Sequence, residues 1–144
     1  MSRFAKLLSA LAVALALPAA AAVAQSPDGA ERAAIRVLIE SQIAAFQRDD
    51  GAAAYAMAAP AIHGIFPTVE AFMAMVRQGY MPVYRPRSVV FGPLQDSPVG
   101  PLQWVFLTGP DGVNYVAVYS LERQADGSWK ISGCALARDN RPAI

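Results

Sequence analysis

Apolar residues recur at three- to four-residue spacing in the first half of the chain, and this spacing predicts helices. The first helix begins after Asp28, a residue type that caps helices, and ends around Asp49, Asp50 and Gly51. Its apolar face carries Ile35, Leu38, Ile39, Ile43 and Phe46. The pattern therefore indicates an amphipathic helix with one face on a core.

Two further helices are predicted before residue 80. An alanine-rich run over residues 52–59 favours a short helix that ends at Pro60. After an irregular segment that contains His63, Thr68 is suited to cap a third helix, and Gly79 ends it. We therefore expect about three helices.

The pattern changes to strands in the second half. Segments rich in β-branched and aromatic residues, separated by turns with Gly, Pro and Asp, cover residues 87–94, 102–108, 113–123 and 129–138. Such short connections favour antiparallel pairing. We predict an α+β fold in which the helices pack on the aromatic face of a curved four-stranded antiparallel sheet. That face carries Tyr115, Ala117, Tyr119 and Leu121 on the third strand, and Trp129, Ile131, Gly133 and Ala135 on the fourth.

The start of the chain has the pattern of a cleaved signal peptide. Arg3 and Lys6 precede an apolar run over residues 7–17, and an A-x-A motif follows at residues 22–24. The run is too short and too rich in alanine for a membrane anchor, which needs about 20 strongly apolar residues. We expect cleavage after residue 24 and an exported protein, periplasmic or secreted, with no membrane attachment.

Residues 25–144 have the length of a single domain. With residues 1–24 removed, the chain has ten basic and eleven acidic residues, so its net charge is near −1. This balance argues against binding to nucleic acid or anionic lipid. Cys134 is the only cysteine and His63 the only histidine, so we predict no internal disulfide, no metal site and no cofactor.

The segment between the two halves, residues 79–87, holds the densest cluster of polar-tipped side chains. Pro82 and Pro86 disfavour helical geometry at the residue before each of them, so we predict an extended chain here. In an extended chain, Arg85 and Arg87 project to one side and Tyr84 to the other. The two arginines could then converge on one carboxylate or phosphate, or on the chain's own acids.

We therefore predict a ligand-binding site for an anionic or aromatic molecule at this segment. Its residues are Tyr80, Tyr84, Arg85 and Arg87. In the alternative, the arginines pair with Asp49, Asp50 or Glu40 and fasten strand to helix. No catalytic residue is predicted, although Asp49 or Asp50 with a tyrosine remains an alternative acid–base pair. A carboxylate buried within reach of Tyr55, Tyr84, Tyr115 or Tyr119 would favour that alternative.

A set of motifs lies at residues 34–36, 42–46 with Asp49 and Asp50, 59–62, 75–80 and 83–89. Through this set the chain resembles a family of exported bacterial proteins, domain-of-unknown-function family 4864. The order of helices and sheet is similar to the cone-shaped fold of nuclear transport factor 2 and ketosteroid isomerase. That resemblance implies binding of a small ligand or a protein partner at the open end of the cone. It implies two alternatives as well: a cofactor-independent isomerase or lyase, and a homodimer formed through the exposed face of the sheet.

Overall fold

The computed structural model describes residues 28–142 of the 144-residue chain. The predicted signal peptide, residues 1–24, lies outside the described residues. Helices come first: α1 (Gly29–Gln47), α2 (Gly51–Ala56), α3 (Pro60–Ile65), α4 (Val69–Gly79) and α5 (Met81–Tyr84). Strands follow: β1 (Ser88–Gln95), β2 (Leu102–Thr108), β3 (Asn114–Arg123) and β4 (Trp129–Arg138). The predicted α+β class is confirmed.

The four strands form one antiparallel sheet in the order β1-β2-β3-β4. The sheet is open, with β1 and β4 at its edges. Next to β4, the connection between α2 and α3 makes a parallel bridge from Ala58 to Ile131. The amide of Ala59 donates to the Ile131 carbonyl at 2.8 Å, and the Ile131 amide donates to the Met57 carbonyl at 2.9 Å. These bonds fasten the middle helices to one edge of the sheet.

Helix α1 follows its sequence pattern closely. The Asp28 carboxylate accepts a hydrogen bond from the Glu31 amide at 2.8 Å, which satisfies one of the free N–H groups at the helix start. Ile35, Ile39 and Phe46 are buried against the rest of the core. The predicted amphipathic helix is therefore present, with its apolar face inward.

The number of helices differs from the expectation, because two prolines begin helices. Pro60 is the first residue of α3, where a backbone N–H would have no partner within the helix, so its absence from proline costs nothing. The segment around His63, predicted to be irregular, is therefore helical. Pro82 likewise lies in the first turn of α5. The prediction of an extended chain over residues 79–87 is thus wrong for Met81–Tyr84.

The side of the sheet that faces the helices, called the inner face here, agrees with the prediction for β3. Ala117, Tyr119 and Leu121 are all buried there. On β2, Gln103 pairs with Tyr119, Val105 with Ala117, and Leu107 with Tyr115. Trp104 and Phe106, which alternate with them, therefore lie on the outer face.

For β4 the predicted alternation is wrong beyond Ile131. Leu121 pairs with Ile131, but Tyr119 pairs with Cys134, so one extra residue lies in β4 between these pairs. Beyond such a bulge, each side chain of the strand lies on the opposite face of the sheet from the one that strict alternation predicts. Cys134 and Leu136 therefore share the inner face with Tyr119 and Ala117, where Gly133 and Ala135 were expected.

Candidate ligand-binding cavity

A cavity of about 320 Å³ lies between the helices and the inner face of the sheet. Its lining is mainly apolar. The aromatic lining residues are Phe46, Phe66, Phe72, Tyr80 and Tyr119. Ala58, Ile62, Met75, Val76, Val83, Ile131 and Gly133 line it as well, together with the polar side chains of Gln42 and Cys134.

Helix α4 forms one wall, because its start and its apolar face are both defined locally. The Thr68 hydroxyl accepts a hydrogen bond from the Ala71 amide at 3.1 Å, so the helix begins at Val69. Phe72 and Val76 then project inward one turn apart and are buried. Met75, on the same side, is only partly buried and borders the cavity.

Gln42 is a polar residue on the buried face of α1. Its side chain is 4% exposed, and its Nε2 donates to the Ala54 carbonyl at 3.1 Å. Because this bond joins α1 to α2, the amide both fastens the helices and contributes a polar atom to the cavity wall.

Two tyrosine hydroxyls at the cavity differ in their partners. Tyr80 Oη donates to the Cys134 carbonyl at 2.9 Å, which connects the end of α4 to β4. Tyr119 is 1% exposed, and within residues 28–142 its hydroxyl has no hydrogen-bond partner. The thiol of Cys134, the residue paired with Tyr119 across the sheet, lies close enough to this hydroxyl to contribute to its raised pKa, but a thiol is at best a weak hydrogen-bond partner. A buried hydroxyl of this kind is uncommon and needs an explanation.

All three ionisable groups at the cavity favour their neutral forms. Burial raises the pKa of the Tyr80 and Tyr119 hydroxyls, with a smaller contribution from Cys134 in each case. Burial also raises the pKa of the Cys134 thiol, to about 12. The part of the cavity lining that residues 28–142 form therefore bears no charge at neutral pH, since its other members are apolar side chains and the Gln42 amide.

Of the four predicted site residues, Tyr80 alone lines this cavity. Tyr84 is buried, and its hydroxyl donates to the carboxylate of Asp49 just beyond the end of α1. Arg85 donates through Nη2 to the same carboxylate at 2.8 Å, and its guanidinium lies 4.1 Å from the centroid of the Tyr84 ring. Tyr84 and Arg85 therefore approach one carboxylate together, whereas an extended chain would have separated them.

We call the group of Asp49, Tyr84 and Arg85 the Asp49 clasp. Arg85 Nη1 also donates to the Phe46 carbonyl, one of the free carbonyl groups at the end of α1. The hydrogen bond from Tyr84 and then that from Arg85 lower the pKa of Asp49 below its ordinary value. For Arg85, the alternative in which an arginine pairs with an internal acid is the arrangement observed.

Arg87 lies apart from the clasp and from the cavity. Its backbone amide donates to the Thr108 carbonyl at 2.8 Å, and its exposed guanidinium is directed toward Gly112 in the turn between β2 and β3. The two arginines of the predicted site therefore do not converge on one point.

The remaining candidate residues make local contacts. Asp50 caps α2 by accepting a hydrogen bond from the Ala53 amide at 3.1 Å. His63 stacks on the ring of Tyr55 with centroids 3.8 Å apart, and its Nε2 lies 2.8 Å from the Tyr55 carbonyl oxygen. These contacts connect α2 with α3.

Tyrosine and carboxylate do meet in the structure, but at the surface. Tyr84 donates to Asp49, whose side chain is 61% exposed, and Tyr115 donates to the exposed Asp111 at 2.8 Å. The cavity lining, as far as residues 28–142 form it, includes no Asp, Glu or His. Neither pair therefore places a general base inside the cavity.

The described part of the chain has neither a cluster of metal ligands nor a helix suited to span a membrane. No three or more His, Cys, Asp and Glu side chains there are grouped as metal ligands would be. None of the helices in residues 28–142 combines the length and hydropathy that crossing a membrane requires.

Sequence reasoning missed Gln42, Tyr119 and Cys134 as members of a site. Gln42 had a visible signal, since it is a polar residue between Ile39 and Ile43 on the apolar face of α1. Tyr119 was placed on the correct face of β3, but nothing local shows that its hydroxyl has no partner. Cys134 lies on the inner face because of the bulge in β4, and strict alternation along the strand placed it on the outer face.

Residues 28–142 form five helices and an open antiparallel sheet, with a mainly apolar cavity between the two layers. They define an α+β protein with a pocket between its helices and its sheet. The model of the family described as domain of unknown function (DUF4864) matches residues 28–144, and the chain belongs to this family. Comparison with curated proteins and with solved structures found no match.

Proposed function

We propose that residues 25–144 are an exported protein that binds a small, mainly apolar molecule in the cavity between the helices and the sheet. The observation that carries this proposal is the cavity itself, with its apolar and aromatic lining and the buried hydroxyl of Tyr119, which has no hydrogen-bond partner within residues 28–142. Its volume of about 320 Å³ is at the small end of the range for ligand pockets, roughly 300–1,000 Å³.

Binding accounts for this cavity better than acid–base catalysis does. An isomerase of the ketosteroid isomerase kind needs a carboxylate base beside the substrate. Asp49 is held in the clasp, outside the cavity, by Tyr84 and Arg85. The hydroxyls and the thiol at the cavity have raised pKa values, so they are poor bases at neutral pH.

A variant that fills the cavity tests the proposal. Met75 is a partly buried lining residue, so Met75→Trp should narrow the cavity without disrupting the core. Val37→Trp is the matched control, because Val37 is 59% exposed on α1 and does not line the cavity. Native mass spectrometry of protein purified from its own host should show a small bound molecule in the unsubstituted protein and in Val37→Trp, but not in Met75→Trp.

The same spectra bear on the other expectations for partners. A second copy of the chain would support the homodimer that the resemblance implies, and a second protein would support a protein partner. Absence of a small molecule from the unsubstituted protein, or its equal retention by Met75→Trp, would count against binding in the cavity.

Export is a separate part of the proposal. It is supported by the basic residues Arg3 and Lys6, the apolar run over residues 7–17 and the A-x-A motif at residues 22–24. N-terminal sequencing of the protein recovered outside the cytoplasm should begin at Gln25. A mature protein that begins before residue 17 would contradict cleavage.

A further inference from the structure

We infer that the cavity takes a neutral aromatic molecule of about ten non-hydrogen atoms, with one oxygen that accepts a hydrogen bond from Tyr119. This inference rests on the proposed function and narrows it to a class of ligand. It depends on four features of the cavity: its charge, its lining, its size and its one unused hydroxyl.

Charge excludes an anionic ligand. No lining side chain is a lysine or an arginine in the part of the chain that the structure describes. Arg85, the cation of the predicted site, donates instead to Asp49 and to the Phe46 carbonyl. A carboxylate or phosphate in the cavity would therefore lose its hydration without gaining a counter-charge, which is strongly unfavourable.

The lining favours an aromatic ligand. Phe46 and Phe72 pack with ring centroids 6.2 Å apart, and both line the cavity together with Phe66. Met75 adds a polarisable thioether, which makes favourable contacts with aromatic rings. An aromatic ligand can adopt the same tilted or offset arrangement with these rings that they adopt with one another.

The size of the ligand follows from the volume. Each water-sized group occupies roughly 30 Å³, so a cavity of about 320 Å³ has room for about ten such groups. A single substituted ring has this size.

Tyr119 supplies the polar contact. One N–H of the Gln42 amide is engaged with the Ala54 carbonyl, and the hydroxyl of Tyr80 is engaged with the Cys134 carbonyl. The hydroxyl of Tyr119 remains, fully buried and without a partner in residues 28–142. A carbonyl or hydroxyl oxygen of the ligand would satisfy it, and would be a much stronger acceptor than the neighbouring thiol of Cys134.

Three probe molecules of nearly the same shape test separately whether the ligand must be neutral and whether it must have an acceptor oxygen. Acetophenone is neutral and has an acceptor oxygen, cumene is neutral and has none, and benzoate is an anion. Their dissociation constants would be measured by titration of amide chemical shifts in two-dimensional NMR spectra of residues 25–144. At neutral pH we expect acetophenone and cumene to bind and to shift amides around the cavity, and benzoate to bind at least about tenfold more weakly than acetophenone.

Tyr119→Phe is the decisive variant, because it removes only the hydroxyl. It should weaken acetophenone about tenfold and leave cumene unchanged or slightly tighter. Folding should survive, since within residues 28–142 the lost hydroxyl has no hydrogen-bond partner stronger than the Cys134 thiol. Tyr115→Phe is the matched control: it also removes one hydroxyl from β3, but that hydroxyl donates to Asp111 at the surface. It should change none of the three dissociation constants.

The outcomes distinguish this inference from the proposed function. If acetophenone and cumene bind but Tyr119→Phe affects both equally or neither, the role of Tyr119 is overturned while binding in the cavity stands. If benzoate binds as tightly as acetophenone, the neutral class is overturned. If no probe binds, the inference fails, and the native mass spectra of the unsubstituted protein and Met75→Trp then decide whether the proposed function fails with it.

Discussion

The Asp49 clasp and the cavity both contain tyrosine hydroxyls, but they use them differently. In the clasp, Tyr84 and Arg85 direct their donors to Asp49 and to a carbonyl at the end of α1. At the cavity, the hydroxyl of Tyr119 is buried and has no hydrogen-bond partner among the residues that the structure describes. A cluster of polar residues whose groups satisfy one another stabilises the fold, whereas an unsatisfied polar group beside a cavity indicates a place for a ligand.

The backbone explains why the clasp lies where it does. Asp49 has φ of +56°, in the left-handed region that a residue after the end of a helix often adopts. That turn lets the chain reverse from α1 into α2, and it carries the Asp49 carboxylate to Tyr84 and Arg85. The clasp thereby joins residues separated by 35 and 36 positions in the chain.

Loss of the Tyr84 side chain should give the largest effect on stability. Its ring is 7% exposed and packs against Phe46 with centroids 6.0 Å apart. Tyr84→Ala should lower the free energy of unfolding by about 3–5 kcal/mol, measured by urea denaturation. Tyr84→Phe keeps the ring and should lose only a fraction of that. A loss below about 1 kcal/mol for Tyr84→Ala would mean that the clasp contributes little to the fold.

The reactivity of the Cys134 thiol tests whether this wall of the cavity is closed to water. Burial raises its pKa from 9.0 to about 12, so the folded protein has about a thousandfold less thiolate than the unfolded chain at pH 8. We expect alkylation by iodoacetamide to be slower in the folded protein by about a hundredfold or more, measured by mass spectrometry against protein in urea. Because Cys134 is the only cysteine, the assay reports on one site. Similar rates in the two states would show that this wall of the cavity is open to water.

Asp49→Asn should have a smaller effect that depends on pH. Hydrogen bonds from Tyr84 and Arg85 lower the pKa of Asp49 below 3.8, so the ionised carboxylate stabilises the fold above that pH. This stabilisation is lost as the pH falls through the lowered pKa of the folded protein. The melting temperature of Asp49→Asn should therefore be below that of the unsubstituted protein at pH 7, and the two should converge in acid.

Asparagine suits this test, because it accepts the left-handed conformation at residue 49. Asp96→Asn is the control, since Asp96 is an exposed residue with no hydrogen bond or ion pair to other side chains in residues 28–142. A difference at residue 49 that stays constant down to strong acid would show that the charge of Asp49 is not its cause.

Arg87→Ala should have the smallest effect. Its side chain is exposed and lies outside both the clasp and the cavity. We expect a change in unfolding free energy within about 0.5 kcal/mol and an unchanged dissociation constant for acetophenone. If this variant instead weakens the binding of benzoate, the predicted anion site at residues 80–87 regains support.

Much of the fold was predictable, because it depends on local patterns. The strands begin and end within about a residue of the predicted bounds, since turns with Gly, Pro and Asp separate segments of strong strand propensity. The first helix and its cap at Asp28 were equally clear. Prolines were harder to interpret, because Pro60 and Pro82 suit either the end of a helix or the first turn of the next.

The candidate site was less predictable. The sequence pointed to Tyr80, Tyr84, Arg85 and Arg87 because they are close in the chain, and only Tyr80 lines the cavity. The signal for a ligand, an unsatisfied hydroxyl in an apolar space, is a property of all the groups around Tyr119. Those groups come from α1, α3, α4, α5, β3 and β4.

By itself, the amino-acid sequence determined the order of the elements, the class of fold and the inner face of β3. Tertiary structure decided which acid Arg85 meets, on which face Cys134 lies and that Tyr119 has no partner. The physical reason is the range of the interactions. Caps and periodicity act over a few residues, whereas the bond from Tyr80 to the Cys134 carbonyl joins residues 54 positions apart and forms only when α4 packs against a sheet whose register a single bulge has shifted.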